Sequence, residues 1–205
     1  MKKSLVAASA ASLALAAMPA LGAFADVTDT VTITINDACT VGQNTADPTT
    51  GGTGKTMTET DAKNGQMYTW EANGTAGGTL RVSCNDASGW NIKAVGSGDD
   101  TNNKTVMNAS AAGATDIATG TPAEGAAAST WGFMVAAASG QQGVAVETAY
   151  QNFTSIPSEA TKVAGGSGAI SEGGINTGYK VWVSATQQAS TYTGKVTYTV
   201  AKGVN

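Results

Sequence analysis

Apolar and polar residues alternate in several short runs along the chain, and that period of two predicts strands. The run DVTDTVTITI at residues 26–35 sets Val27, Val31, Ile33 and Ile35 on one face, with Thr28, Thr30, Thr32 and Thr34 on the other. Leu80, Val82 and Cys84 alternate with Arg81 and Ser83, and Trp90 keeps phase with Ile92. Trp131, Phe133 and Val135 form a further inward set, and Tyr179, Val181 and Val183 another. Near the end, Tyr192, Val196, Tyr198 and Val200 oppose Thr193, Lys195, Thr197 and Thr199.

The connecting stretches carry turn chemistry. The Gly-containing link at residues 85–89 predicts a hairpin between its flanking strands. Residues 40–65 read as a long loop or loose hairpin, followed by a short strand at 67–71 that ends before Gly77-Gly78. Residues 107–129 are rich in Ala, Gly and Thr and predict an exposed excursion, with a short helix at 123–128 as the alternative. Residues 144–153 and 161–164 are weaker strand candidates. The expected fold is an all-β, antiparallel sandwich with long Gly/Ala/Thr-rich loops and no long helix.

Export changes the reading of the two cysteines. Met1-Lys2-Lys3, an Ala/Leu-rich stretch and the small residues around Ala23 and Ala25 have the form of a cleaved signal peptide over residues 1–25. Residues 26–205 then form one domain. In an oxidising compartment Cys39 and Cys84 are expected to pair, since two sulfurs in a chain with no histidine do not complete a metal shell. Closing that loop stabilises by about 4 kcal/mol in the chain-entropy model.

Charge and composition narrow the function. Without Lys2 and Lys3 the chain has 9 basic and 15 acidic residues, a net charge of −6, and no basic run. It therefore has no electrostatic grip on nucleic acid. The absence of histidine removes the usual general base of hydrolytic triads and the commonest zinc ligand. These features point to a protein that is not an enzyme and needs no cofactor, with no membrane span once the signal is removed. Trp90 and Trp131 share phase with apolar neighbours and belong to the core. Trp182 is out of phase with Tyr179, Val181 and Val183. It faces a partner, an edge or a second core layer, and with Trp70 it supplies the aromatics that a carbohydrate-binding module would use.

Other motifs do not carry chemistry. The segment TTGGTGKT at 49–56 lacks the first glycine of a phosphate-binding loop. The oxygens of Asp99, Asp100, Asn102 and Asn103 lack the spacing of a calcium loop.

The order of landmarks resembles a known family. An export signal, a strand ending in Cys39-Thr40-Val41, a strand ending at Cys84, a Trp-bearing strand and the closing YTGKVTYTV at 192–200 resemble fimbrial subunits and spore-coat-U-type pilus proteins. Cys84-Asn85 and Gly89-Trp90 are also similar to pairs in small exported β-proteins of candidate-phylum bacteria. The resemblance implies an immunoglobulin-like, Greek-key sandwich, open or incomplete, whose sheet a neighbour's N-terminal strand completes. Val27, Val31, Ile33 and Ile35 would then be the inserted side chains. Only residues 26–38 precede Cys39, so this segment serves either as donor or as the sandwich's own first strand. The expected role is structural or adhesive at a bacterial cell surface or in the secreted fraction. The expected partners are other copies, other surface proteins or cell-surface glycans. N-terminal sequencing of the exported protein is expected to begin at Asp26; a sequence that begins at Met1 would overturn the cleavage.

Overall fold

Inward-facing alternation becomes two sheets around one interior. The computed structural model describes residues 39–43, 62–70, 78–98 and 103–203, all within one compact unit, Asn36–Asn205. The alternating run at 26–35 and the glycine-rich segment at 49–56 lie outside the described residues.

The larger sheet contains β1 (Cys39–Gln43), β2 (Gln66–Trp70), β3 (Gly78–Cys84), β6 (Ala118–Thr119), β7 (Thr130–Ala137) and β10 (Ile170–Val183). Its order is β1-β3-β10-β7-β6, and β2 also pairs with β10. Because β3 faces β10 from Ile170 to Thr177 and β2 faces it from Tyr179 to Val183, β2 and β3 lie end to end along one edge of β10. The smaller sheet runs β12-β4-β9-β8, from β4 (Trp90–Gly96), β8 (Ala145–Val146), β9 (Thr161–Gly166) and β12 (Val196–Lys202). A two-stranded ribbon joins β5 (Asn108–Ala109) to β11 (Tyr192–Thr193). All ladders are antiparallel except the short β6–β7 pair.

The core lies between the two sheets. Val82, Phe133, Val135 and Ile175 from the larger sheet meet Trp90, Ile92, Ala94 and Val163 from the smaller one, all fully buried. Trp131 is buried as its phase predicts, and its indole donates to the Thr105 carbonyl at 2.8 Å. Gly166 lies under the Trp90 indole, where a Cβ would stand 3.0 Å from Nε1. A side chain there would displace the largest ring of the core.

The expected hairpin between β3 and β4 does not form. Those strands belong to different sheets. Asp86 Oδ1 accepts hydrogen bonds from the Ser88 amide and hydroxyl at 2.8 and 2.7 Å, and Gly89 turns the chain with φ 98°. This turn carries the chain across the interior, so Cys84 and Trp90 enter the core from opposite sheets. The Ser88 bonds hold the Asp86 carboxyl below the usual carboxylate range.

Three further expectations change. Residues 107–129 are not wholly an exposed excursion: Ile117 is buried, with Met107 and Ile117 forming an isolated bridge. Residues 123–128 form turns rather than a helix. The final run is interrupted after Thr193, because Gly194 lies against the Trp131 ring, where a Cβ would meet Cη2 at 2.6 Å.

The disulfide joins Cys39 to Cys84, which are directly opposed residues of β1 and β3. Phe133→Ala is expected to lower stability by about 3–5 kcal/mol through its cavity. The Cys39→Ser/Cys84→Ser double variant is expected to lower it by about 2–4 kcal/mol. Urea unfolding checks both, and a change below about 1 kcal/mol in either would contradict this account of the core or of the crosslink.

Candidate strand-docking margin

The two sheets end side by side. β1 is the terminal strand of the larger sheet, β12 that of the smaller, and the two are neighbours in space. Among the described residues, β1 pairs only with β3 and β12 only with β4. A sheet edge of this kind presents a row of backbone donors and acceptors to any strand that can reach it.

The β12 edge follows from its sequence. Val196, Tyr198 and Val200 turn inward and are half-buried, while Thr197, Thr199 and Ala201 are exposed. Lys195 and Lys202 bracket a stretch with no charge between them. Edge strands that resist pairing commonly carry charge along their length. This one carries it only at its ends.

The interior is less closed toward this margin. On β10, which is paired on both sides, Ile175, Thr177 and Val181 are buried, whereas Tyr179 and Val183 are half-buried. Trp70, directly opposite Tyr179 on β2, is half-buried as well. Val41 of β1 packs against the core without being covered by it. Half-buried apolar groups therefore occur on β1, β2, β10 and β12.

One hydrogen bond ties the two sheets here. The Tyr179 and Tyr198 hydroxyls are 2.9 Å apart, the first from β10 and the second from β12. Burial raises the Tyr179 phenol above its usual value, partly offset by hydrogen bonds with Tyr198 and Thr177. Burial, reinforced by Tyr179, raises the Tyr198 phenol well above that value. Part of the Tyr198 ring reaches solvent, but its hydroxyl end lies against Tyr179. Sequence phase placed both tyrosines inward; it had no means of pairing them across sheets, because the pairing depends on β12 and β10 belonging to opposite layers.

Other residues singled out from the sequence fall as follows. Val27, Val31, Ile33 and Ile35 lie outside the described residues. Trp182 is 4% exposed, and its indole donates to the Ala126 carbonyl at 2.8 Å, the second packed layer among the alternatives expected for it. The small residues Gly125, Ala126, Ala127 and Ala128 let that backbone approach Trp182 on the outer face of β10. An exposed pair of Trp70 and Trp182 is thereby removed. Asn103 Oδ1 accepts from the Thr105 amide and hydroxyl. No group of three or more carboxylate, histidine or cysteine side chains suited to a metal occurs among the described residues.

No family model, curated protein or solved structure matches the chain. The functional reading therefore rests on the geometry of the margin.

The tyrosine pair makes stability pH-dependent. Both phenols hold their protons more tightly folded than unfolded, so their contribution is whole below the ordinary phenol pKa of about 10 and declines as pH rises past it. Urea unfolding from pH 8 to 11 is expected to show falling stability, with a shallower fall in Tyr198→Phe. The same variant is expected to lose about 1 kcal/mol at pH 8 from the missing hydrogen bond. Equal pH slopes in the two proteins would refute the assignment.

Proposed function

We propose that the protein is an exported structural or adhesive surface subunit, pilus-like in its assembly, which joins copies of itself by adding a strand at the β1/β12 margin. The observation that carries this reading is the pair of adjacent edges, each paired on one side among the described residues, with half-buried apolar side chains on both strands. In this reading the fold is an immunoglobulin-like Greek-key sandwich whose β12 edge accepts one more strand.

The donor is the segment before Cys39. β3 ends at Cys84, the partner of Cys39, so residues preceding Cys39 have no further β3 residues to pair with. They are not required as a longer first strand of that ladder. This supports the donor alternative for Val27, Val31, Ile33 and Ile35, whose alternation suits a margin with an apolar floor. The exposed β12 edge is seven residues long, roughly 23 Å at the usual rise per residue. The ten residues at 26–35 span about 33 Å, enough to cover it. Backbone hydrogen bonds would supply affinity and the inward Val and Ile side chains specificity, as in strand addition generally. In such a subunit the surface location and partnership with other copies follow from export and from this exchange, without catalysis.

The test compares residues 26–205 with residues 37–205 by size-exclusion chromatography and negative-stain microscopy. Ordered oligomers are expected from the longer form and monomers from the shorter one. A peptide of residues 26–36 is expected to bind the shorter form and raise its unfolding temperature. Monomers from both forms, with no response to the peptide, would sink the reading.

A further inference from the structure

A cleft of about 440 Å³ opens at the other side of the sandwich, between the 3₁₀ turn Thr148–Tyr150 and the crossing from Thr154 to Thr161. Here the chain leaves the β7 edge and enters β9. We infer that this cleft is a binding site for a neutral sugar ring, with Tyr150 as its aromatic wall and Glu159 as its hydrogen-bonding carboxylate.

The wall and floor are held in place. The Tyr150 ring packs on the fully buried Phe133, with centroids 5.4 Å apart. Ile156 is buried in the floor, and its amide donates to the Thr119 hydroxyl at 2.6 Å. The Pro157 carbonyl accepts from the Gly96 amide at 2.9 Å, fastening the crossing to the end of β4. Phe133 and Thr154 exchange two backbone hydrogen bonds at 3.0 Å each. The cleft is preformed, so ordering it costs a ligand little.

Its chemistry selects the ligand class. Tyr150 presents an aromatic ring beside the apolar Ile156-Pro157 floor, suited to the C–H face of a pyranose. Ser155, Ser158 and Glu159 bring hydroxyls and a carboxylate to the same cleft. Neither the Tyr150 phenol nor the Glu159 carboxylate has a protein partner among the described residues, so both are free to bond ligand hydroxyls. No lysine or arginine lines the cleft, and the chain is acidic overall, which disfavours phosphates, sulfates and acidic sugars. The volume falls within the usual range of small-molecule sites, enough for one or two rings.

Position separates this site from assembly. β1 and β12 form one margin of the two sheets, while β7 and β8 meet at the other, and the 3₁₀ turn adjoins β7. A subunit joined through β1 and β12 keeps the cleft exposed. The site stands independently of strand exchange.

Saturation-transfer NMR and calorimetry on the mature protein, with glucose, galactose, mannose, N-acetylglucosamine and their disaccharides, test the site. At least one sugar is expected to bind with a dissociation constant on the order of 1 mM, as suits an open cleft. Glu159→Gln, at an exposed position that does not disturb folding, is expected to weaken binding at least fivefold. Tyr150→Leu is expected to abolish the aromatic transfer signal while the near-ultraviolet spectrum of the tryptophans is retained. No binding by any of these sugars would overturn the inference. So would binding unchanged in both variants, or capture of a polyamine such as spermidine in place of sugars.

Discussion

The burial of one alternating face from each sheet is the interaction on which the rest of the structure depends. Trp90, Ile92 and Val163 from the smaller sheet and Val82, Phe133, Val135 and Ile175 from the larger are each removed from water. Every such aliphatic or aromatic side chain contributes about 1.5–3 kcal/mol relative to exposure. This face-to-face packing sets the chain's path. After β3 the chain must cross to the opposite layer, since a hairpin there would place Trp90 and Ile92 beside Leu80 and Val82 in one sheet and leave the other without its central strand. The Asp86–Ser88 turn and the positive φ of Gly89 are the local means of that crossing.

Once two sheets share an interior, their margins become the chemically open parts of the molecule. On the β1/β12 side, the covalent link between Cys39 and Cys84 fixes the first pair of the β1–β3 ladder, so β1 cannot fray from that end. The Tyr179–Tyr198 hydrogen bond holds β12 against the opposite sheet. The two ties act on different strands of the same margin. They fix the shape of this margin, and for the proposed strand addition such preorganisation would lower the entropy lost on docking.

Strand phase was legible in the sequence wherever β-branched or aromatic residues recurred at every second position. Leu80, Val82 and Cys84 turn inward as expected, as do Trp131, Phe133 and Val135, and the Cys39–Cys84 disulfide forms as expected for the chain's two cysteines. Sheet membership was not legible, because alternation specifies which face is buried and says nothing of which neighbour covers it. The same limit explains Trp182. Its phase correctly set it opposite Val181, but a cover made of alanines, with no apolar periodicity of its own, left no signal in the sequence. Ile117 was hidden for a related reason: one buried residue in a segment without periodicity cannot be told from a loop residue. The alternation of β12 was visible at 196–200, while its adjacency to β1 is a property of topology alone.

The two margins differ in what can satisfy them. A terminal strand with an uncharged middle and an alternating inward face offers backbone groups in a row, a pattern that only another extended chain can match along its length. The opposite margin is interrupted. β8 is two residues long, β7 is covered by β6 and by the Thr154 bridge, and the chain crosses between layers there. Such an edge cannot template a strand. The crossing pinned at Ile156 and Pro157 leaves there a concavity lined by side chains in place of a backbone ladder, the shape that the proposed sugar site requires. The division between the proposed assembly edge and the proposed recognition edge thus arises from where the ladders are continuous and where the chain has to change sheets.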